Sequence, residues 1–173
     1  MKQPPGFPPQ SPHFLEIFST QISDENLQLV SNALRRTYGH ILELSIGGTL
    51  TLPPQAYNTS RDQYDAEILL DHLPTVKHHE LALWVIAKDL YARDMNFIFG
   101  LASLFRGAVL SLCRLTTMEL KEKEAIHEVG HVVGLKHCAN RCVMRFSNSL
   151  EEAQRKPLTL CERCKRTMNK GWG

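Results

Sequence analysis

The spacing of apolar residues along the chain switches between strand-like and helical periods in a repeating order. His13 to Phe18 reads as a strand. Ser23 then offers an N-cap for a helix that places Leu27, Val30, Leu34 and Tyr38 at three- and four-residue intervals before Gly39 closes it. His40 to Ile46 returns as a second strand, so a right-handed parallel crossover is expected. Gly47 to Pro54 reads as a loop, and Asp62 to Leu73 carries Tyr64, Ala66, Leu69, Leu70 and Leu73 at mostly helical spacing, with Pro74 expected to stop that helix. Leu81 to Ala87 is almost wholly apolar, as a strand buried on both faces is. Asn96 to Phe99 and Gly107 to Leu115 read as two further strands joined by Gly100 and a short link over Leu101 to Phe105. Thr116, with Glu119 three residues on, forms a capping box for a helix whose apolar positions are Met118, Ala125, Ile126, Val129, Val132 and Val133. Ser149 with Glu152 signals another helix start, and residues 162–170 a last helix. The order predicts an α/β fold.

Within the Thr116 helix the polar positions carry chemistry. His127 and His131 are four residues apart, so on a helix both imidazoles lie on one face and reach one ion. Glu128 then falls beside that ion. A zinc with three protein ligands and an open position lowers the pKa of a bound water to about 7, and a neighbouring carboxylate can take its proton. His137 lies too far on to share the helix face, but Gly134 can adopt the left-handed conformation that ends a helix and turns the chain back. His127, His131 and His137 are therefore expected to hold a catalytic zinc, with Glu128 as general base. The alternative is a chance pattern on an ordinary amphipathic helix.

The full run H-E-x-x-H-x-x-G-x-x-H is the metzincin signature, and Met144 stands where that group has its Met-turn. Cys138 follows the third histidine, Cys142-Val143-Met144 comes next, and Cys161-Glu162-Arg163-Cys164 lies downstream. In this combination the chain resembles the archaemetzincins. The resemblance implies that Cys138, Cys142, Cys161 and Cys164 hold a second, structural zinc, whose four thiolates leave no open position. Two disulfides are the other use of four such cysteines. The gap between Cys138 and Cys142 is one residue shorter than the family's usual spacing, which bears on loop geometry and not on ligand identity. The implied fold is a metzincin-like domain: a mixed, mostly parallel sheet with an antiparallel edge strand, packed on the zinc-binding active-site helix. By the same resemblance Asn96 to Phe99 is that edge strand, along which metzincins lay an extended peptide. Asp89-Leu90-Tyr91 also resembles a family segment.

Composition narrows the classes. With 173 residues, 43% hydrophobic and 22% charged, the chain suits one domain over 13–173, divided into a sheet-and-helix part at 13–134 and a zinc-tied part at 135–173. Residues 1–12 contain five prolines and read as a flexible arm rather than a signal peptide. Net charge is +2, with −3 over residues 1–113 and +5 over 114–173, a mildly basic tail read as a solvated helix rather than a nucleic-acid site. The run from Met95 to Cys113 is broken by Gly100, Arg106 and Gly107, so no membrane helix is expected. Cysteines paired like a metal site point to a reducing, cytoplasmic setting. Cys113 reads as a buried core residue, and His13, His40, His72, His78 and His79 lack ligand spacing.

These observations lead to a monomeric zinc metallopeptidase acting on peptide or protein substrates and carrying two zinc ions. Two other readings use the same residues. One is a zinc amidohydrolase or deacylase, and the other a zinc-stabilised binding module whose peptidase site is vestigial, against which the intact Glu128 argues.

Overall fold

Strand β5 (Leu81–Ile86) is the centre on which the fold is built. Its residues alternate between the two cores of the protein, Leu81, Leu83 and Val85 facing one and Ala82, Trp84 and Ile86 the other. A strand covered on both faces must be apolar throughout, which is why no polar position interrupts it. The computed structural model describes residues 13–172, so the proline-rich segment 1–12 lies outside the described residues. The main sheet has the order β2-β1-β5-β9-β8, with β1 (His13–Thr20), β2 (Leu42–Thr49) and β9 (Gly107–Ser111) parallel to β5. The edge strand β8 (Gly100–Ser103) runs antiparallel to β9.

Helix α1 (Asp24–Tyr38) crosses from β1 to β2 and packs with α3 (Met118–Val132) in the first core. Ser23 caps α1 by accepting the N–H of Asn26, with Asp24 and Glu25 in the first turn and Arg35 and Arg36 in the last complementing the helix dipole. Tyr38, fully buried, donates its hydroxyl to the Ile126 carbonyl at 2.6 Å and so ties α1 to the middle of α3. Helix α2 (Ala66–Val76) covers the other face with a second sheet of order β3-β4-β6-β7: β3 (Tyr57–Asn58), β4 (Gln63–Asp65), β6 (Leu90–Ala92) and β7 (Met95–Ile98). Short helices α4 (Leu150–Arg155), capped by Ser149, and α5 (Glu162–Trp172) complete the chain.

Several sequence expectations are corrected here. The antiparallel edge strand is Gly100–Ser103, not Asn96 to Phe99. The latter stretch belongs mostly to β7, which pairs back on β6 through a two-residue turn in which Asp94 has φ 66°. Residues 63–65 form a strand, and Asp65 caps α2 by accepting the N–H groups of Glu67 and Ile68. Pro74 sits inside α2 without stopping it, because in the last turn the missing N–H costs one bond while Lys77 still donates to the Leu73 carbonyl. Thr117 rather than Thr116 caps α3, accepting from Leu120, and Glu119 pairs with Lys123 instead of completing a capping box. Met118 is exposed, and so is Cys113, which lies past the last paired residue of β9 where the chain leaves the sheet. The second strand starts at Leu42, after a turn that holds His40.

Two buried lysines join α3 to the segment around α4. Lys123 donates to the Gln154 carbonyl at 2.9 Å, and Lys156 meets Glu124 at 2.7 Å with both side chains almost fully buried. The second contact is ionic rather than a directed hydrogen bond. A buried pair of this kind is expensive to break from one side. Lys156→Met is expected to lower stability by about 3–5 kcal/mol, and adding Glu124→Leu to recover most of the loss, as measured by denaturant unfolding of both singles and the double.

Candidate metal centre

Helix α3 delivers His127 and His131 to one face, and the chain then turns sharply. Gly134, at φ 96°, closes the helix, with its N–H on the His131 carbonyl at 3.1 Å and the Leu135 N–H on the Gly130 carbonyl at 2.8 Å. These are the two bonds of a Schellman motif, which needs a left-handed residue at this point. The turn brings His137 back, and its ring centroid lies 5.4 Å from that of His127 and 4.7 Å from that of His131. One ring nitrogen from each of the three histidines lies within 4.8 Å of the others.

The orientation of the rings is set by backbone. Nδ1 of His127 is 3.0 Å from the Val143 carbonyl, and Nδ1 of His131 is 2.8 Å from the Leu135 carbonyl. A carbonyl only accepts, so each Nδ1 carries the proton and each Nε2 a lone pair. Those two Nε2 atoms are 3.0 Å apart. Protonating one ring would relieve the contact, but burial pushes His127 down to about 2, with Lys156 adding to the effect, and His131 is lowered by burial as well. Two facing lone pairs at this distance call for a cation between them, and neutral imidazole nitrogens are donors that suit zinc.

Glu128 is buried beside this triad, and its side chain lies against the edge strand so closely that a Cβ on Gly100 would stand 2.6 Å from its Cγ. Burial, with Glu124 one turn away, raises its pKa to about 8, while Lys156 works in the opposite direction. A dication beside it would favour the carboxylate. The three histidines and Glu128 line a cleft of about 560 Å³ whose walls include Gly100, Phe146 and Lys156.

The four cysteines form a second cluster. They make no disulfide: the Sγ atoms of Cys138 and Cys161 are 3.8 Å apart and those of Cys142 and Cys164 3.7 Å, all four lying within 4.8 Å. A tetrahedron with a metal–sulfur distance of about 2.3 Å has edges of about 3.8 Å, so the spacing fits four thiolates around zinc and rules out the disulfide reading in this structure. Burial works against a thiolate at Cys161, yet the Cys164 backbone N–H, with the Asn140 amide and the neighbouring thiols, brings it down to about 6. The Cys161 N–H in turn lies 3.3 Å from the Cys142 sulfur.

Every site residue expected from sequence falls into one of these two clusters, and His13, His40, His72, His78 and His79 join no metal-capable group among the described residues. Sequence reasoning missed the carbonyls of Val143 and Leu135, the Glu124–Lys156 pair, and Gly100 against Glu128. Met144, fully buried, packs on Gly130 between the two helical histidines, where a Cβ would come within 2.3 Å of its sulfur.

A mixed sheet with an antiparallel edge strand, packed on a helix that carries two histidines and a glutamate with a third histidine returned by the turn after it, defines a zinc metallopeptidase. A model of peptidase family M54 matches residues 48–170, and the chain belongs to that family, the archaemetzincins. It is 41% identical over 150 residues to the archaemetzincin of Archaeoglobus fulgidus, covering 83% of this chain and 91% of that one. It is 47% identical over 124 residues to the Nanoarchaeum equitans archaemetzincin, covering 71% and 73%. The crystal structure of the Methanopyrus kandleri archaemetzincin superposes with a TM-score of 0.84 at 33% identity, over 95% of this chain and 97% of that one.

Gly130→Ala is expected to displace Met144 and lower stability by about 1–3 kcal/mol, the usual cost of overpacking a filled core. Thermal unfolding of the metal-loaded protein measures it.

Proposed function

We propose that the chain hydrolyses peptide bonds with His127, His131 and His137 holding a catalytic zinc and Glu128 acting as general base. The observation that supports this best is the pair of Nε2 lone pairs, 3.0 Å apart and oriented by backbone carbonyls, with a buried carboxylate on the adjacent residue. When bound there, zinc supplies a Lewis acid with an open position, the chemistry that acidifies a water and polarises a carbonyl. Glu128 takes the proton from the attacking water and returns it to the leaving nitrogen as the C–N bond breaks. No covalent link to the protein forms. Gly100, Leu101 and Ala102 of β8, the edge strand of the main sheet, line the cleft, and their backbone groups can pair with an extended peptide without demanding a sequence.

Cys138, Cys142, Cys161 and Cys164 hold the second zinc in this reading, making two ions per chain, and Met144 is the Met-turn residue. The second ion ties residues 135–173 onto the rest of one domain. It buttresses the first through two connections: Cys138 adjoins His137, and Val143, which orients His127, lies between Cys142 and Met144. Four free thiols in a metal cluster suit a reducing compartment such as the cytoplasm.

Elemental analysis of the purified protein is expected to give two zinc ions per chain, and a single ion with the fold intact contradicts the assignment. Glu128→Ala keeps both ions and loses peptide hydrolysis by about 10²–10⁴-fold, measured on a peptide library with a contaminating peptidase excluded.

The buttressing argument makes an asymmetric prediction. Cys164→Ser, although remote in sequence from the histidines, weakens zinc binding at the histidine site by about 10–100-fold, the range seen when groups that orient metal ligands are disturbed. His131→Ala empties the histidine site and leaves the cysteine site filled. Competition titration with a chelator on both variants reads the two affinities, and an unchanged histidine site in folded Cys164→Ser protein shows the sites to be independent.

A further inference from the structure

One wall of the catalytic cleft is formed by an element outside the main sheet, the strand β7, through Met95 and Phe97. Phe97 is half-buried, its ring packed edge-on against Phe99 at 5.6 Å, and Met95 is exposed. The same cleft is lined by the three histidines and Glu128. A peptide placed for hydrolysis lies in a cleft that also carries an apolar shelf with no part in the chemistry.

This shelf is held in place by an unusual density of polar contacts. The Arg114 guanidinium lies over the Phe97 ring at 4.3 Å, a cation–π distance. Its Nε and Nη2 donate to the two oxygens of Asp89, each at 2.7 Å, a bidentate fork that fixes the plane of the guanidinium. Buried Gln63 divides its amide protons between Asp89 Oδ2 and the Asn96 carbonyl, both at 2.9 Å. Ring and backbone of Phe97 are thus held from two sides, and both restraints end on the Asp89 carboxylate. Arg61 adds a third, donating to the Met95 carbonyl at 3.3 Å. Burial works against ionising Asp89, yet the Arg114 and Gln63 hydrogen bonds hold it below the usual carboxylate range. One side of Phe97 packs on the first core beside Phe99, and the rest of the residue lines the cleft.

We infer that Phe97, with Met95 beside it, forms a subsite for a large apolar side chain of the substrate, and that Asp89 is the positioning residue that sets it. The inference rests on the peptidase reading only in taking the cleft as the place where substrate lies. Hydrophobic pockets discriminate by about 10–200-fold between side chains that fill them and smaller ones.

The test measures binding apart from turnover. Zinc-loaded chain carrying Glu128→Gln is titrated calorimetrically with end-blocked peptides that differ at one position, Phe against Ala, scanned along the peptide. At one position Phe is expected to bind at least about tenfold more tightly, and that ratio to fall toward one in Phe97→Ala and to fall several-fold in Asp89→Ala. Arg114→Lys, which keeps a cation but loses the fork, restores part of the ratio relative to Arg114→Met. A general loss of stability lowers both affinities together, so the ratio isolates positioning from folding. A ratio near one in the parent at every position, or a ratio untouched by Phe97→Ala, overturns the inference. If the ratio behaves as expected while the chain with Glu128 intact cleaves none of these peptides, the subsite stands and the hydrolytic reading falls.

Discussion

The contact on which the metal centre depends is the hydrogen bond from His127 Nδ1 to the Val143 carbonyl, 3.0 Å long and buried. By itself such a bond contributes on the order of 1 kcal/mol. Its importance is geometric, because it selects the tautomer that leaves Nε2 free and aims that nitrogen at its counterpart on His131. Val143 in turn donates its N–H to the Thr159 carbonyl and stands between Cys142, in the thiol cluster, and Met144, packed on Gly130. The Cys138 N–H closes the same loop on the Met144 carbonyl at 3.0 Å. One short loop thereby orients a histidine, supplies two thiols and fills the space against the active-site helix. Moving it alters all three.

The electrostatics of α3 follow from this placement. The helix buries Lys123, Glu124 and Glu128 around His127, an assembly that desolvation disfavours. Lys156 balances Glu124, and Lys123 finds a carbonyl and Glu119. Burial and the neighbouring Glu124 raise the Glu128 pKa, against the pull of Lys156. A dication on the histidines would place positive charge beside both the carboxylate and the imidazole lone pairs.

What could be read in the sequence were the features that require particular side chains at fixed intervals. His127, Glu128 and His131 leave a legible pattern because helix geometry dictates their spacing, and Gly134 marks the turn that returns His137, whereas the four-cysteine set was read through the family resemblance. The doubly covered central strand was visible in Leu81 to Ile86, where burial on both faces demands an unbroken apolar run, but the order of its neighbours was not. The edge strand was not, since Gly100-Leu101-Ala102-Ser103 is half-buried throughout and shows no alternation. Backbone acceptors such as Val143 leave no signature, as any residue provides a carbonyl. The Glu124–Lys156 pair joins positions distant in sequence, and Cys113 reads as core until its place beyond the end of β9 is known.

The two walls of the cleft are built on different principles. The wall that carries the three histidines is locked into the first core through Tyr38, Met144 and the thiol cluster, so small displacements there are resisted by close packing. The facing wall belongs to a small second sheet whose outer strand is restrained by Gln63, Arg61 and Arg114 side chains. On that strand Phe97 also packs on the first core and Ile98 lies in the second, while Met95 is exposed. Substitution of Met95 can therefore change which side chains the cleft accepts while leaving the orientation of His127 where the Val143 carbonyl holds it.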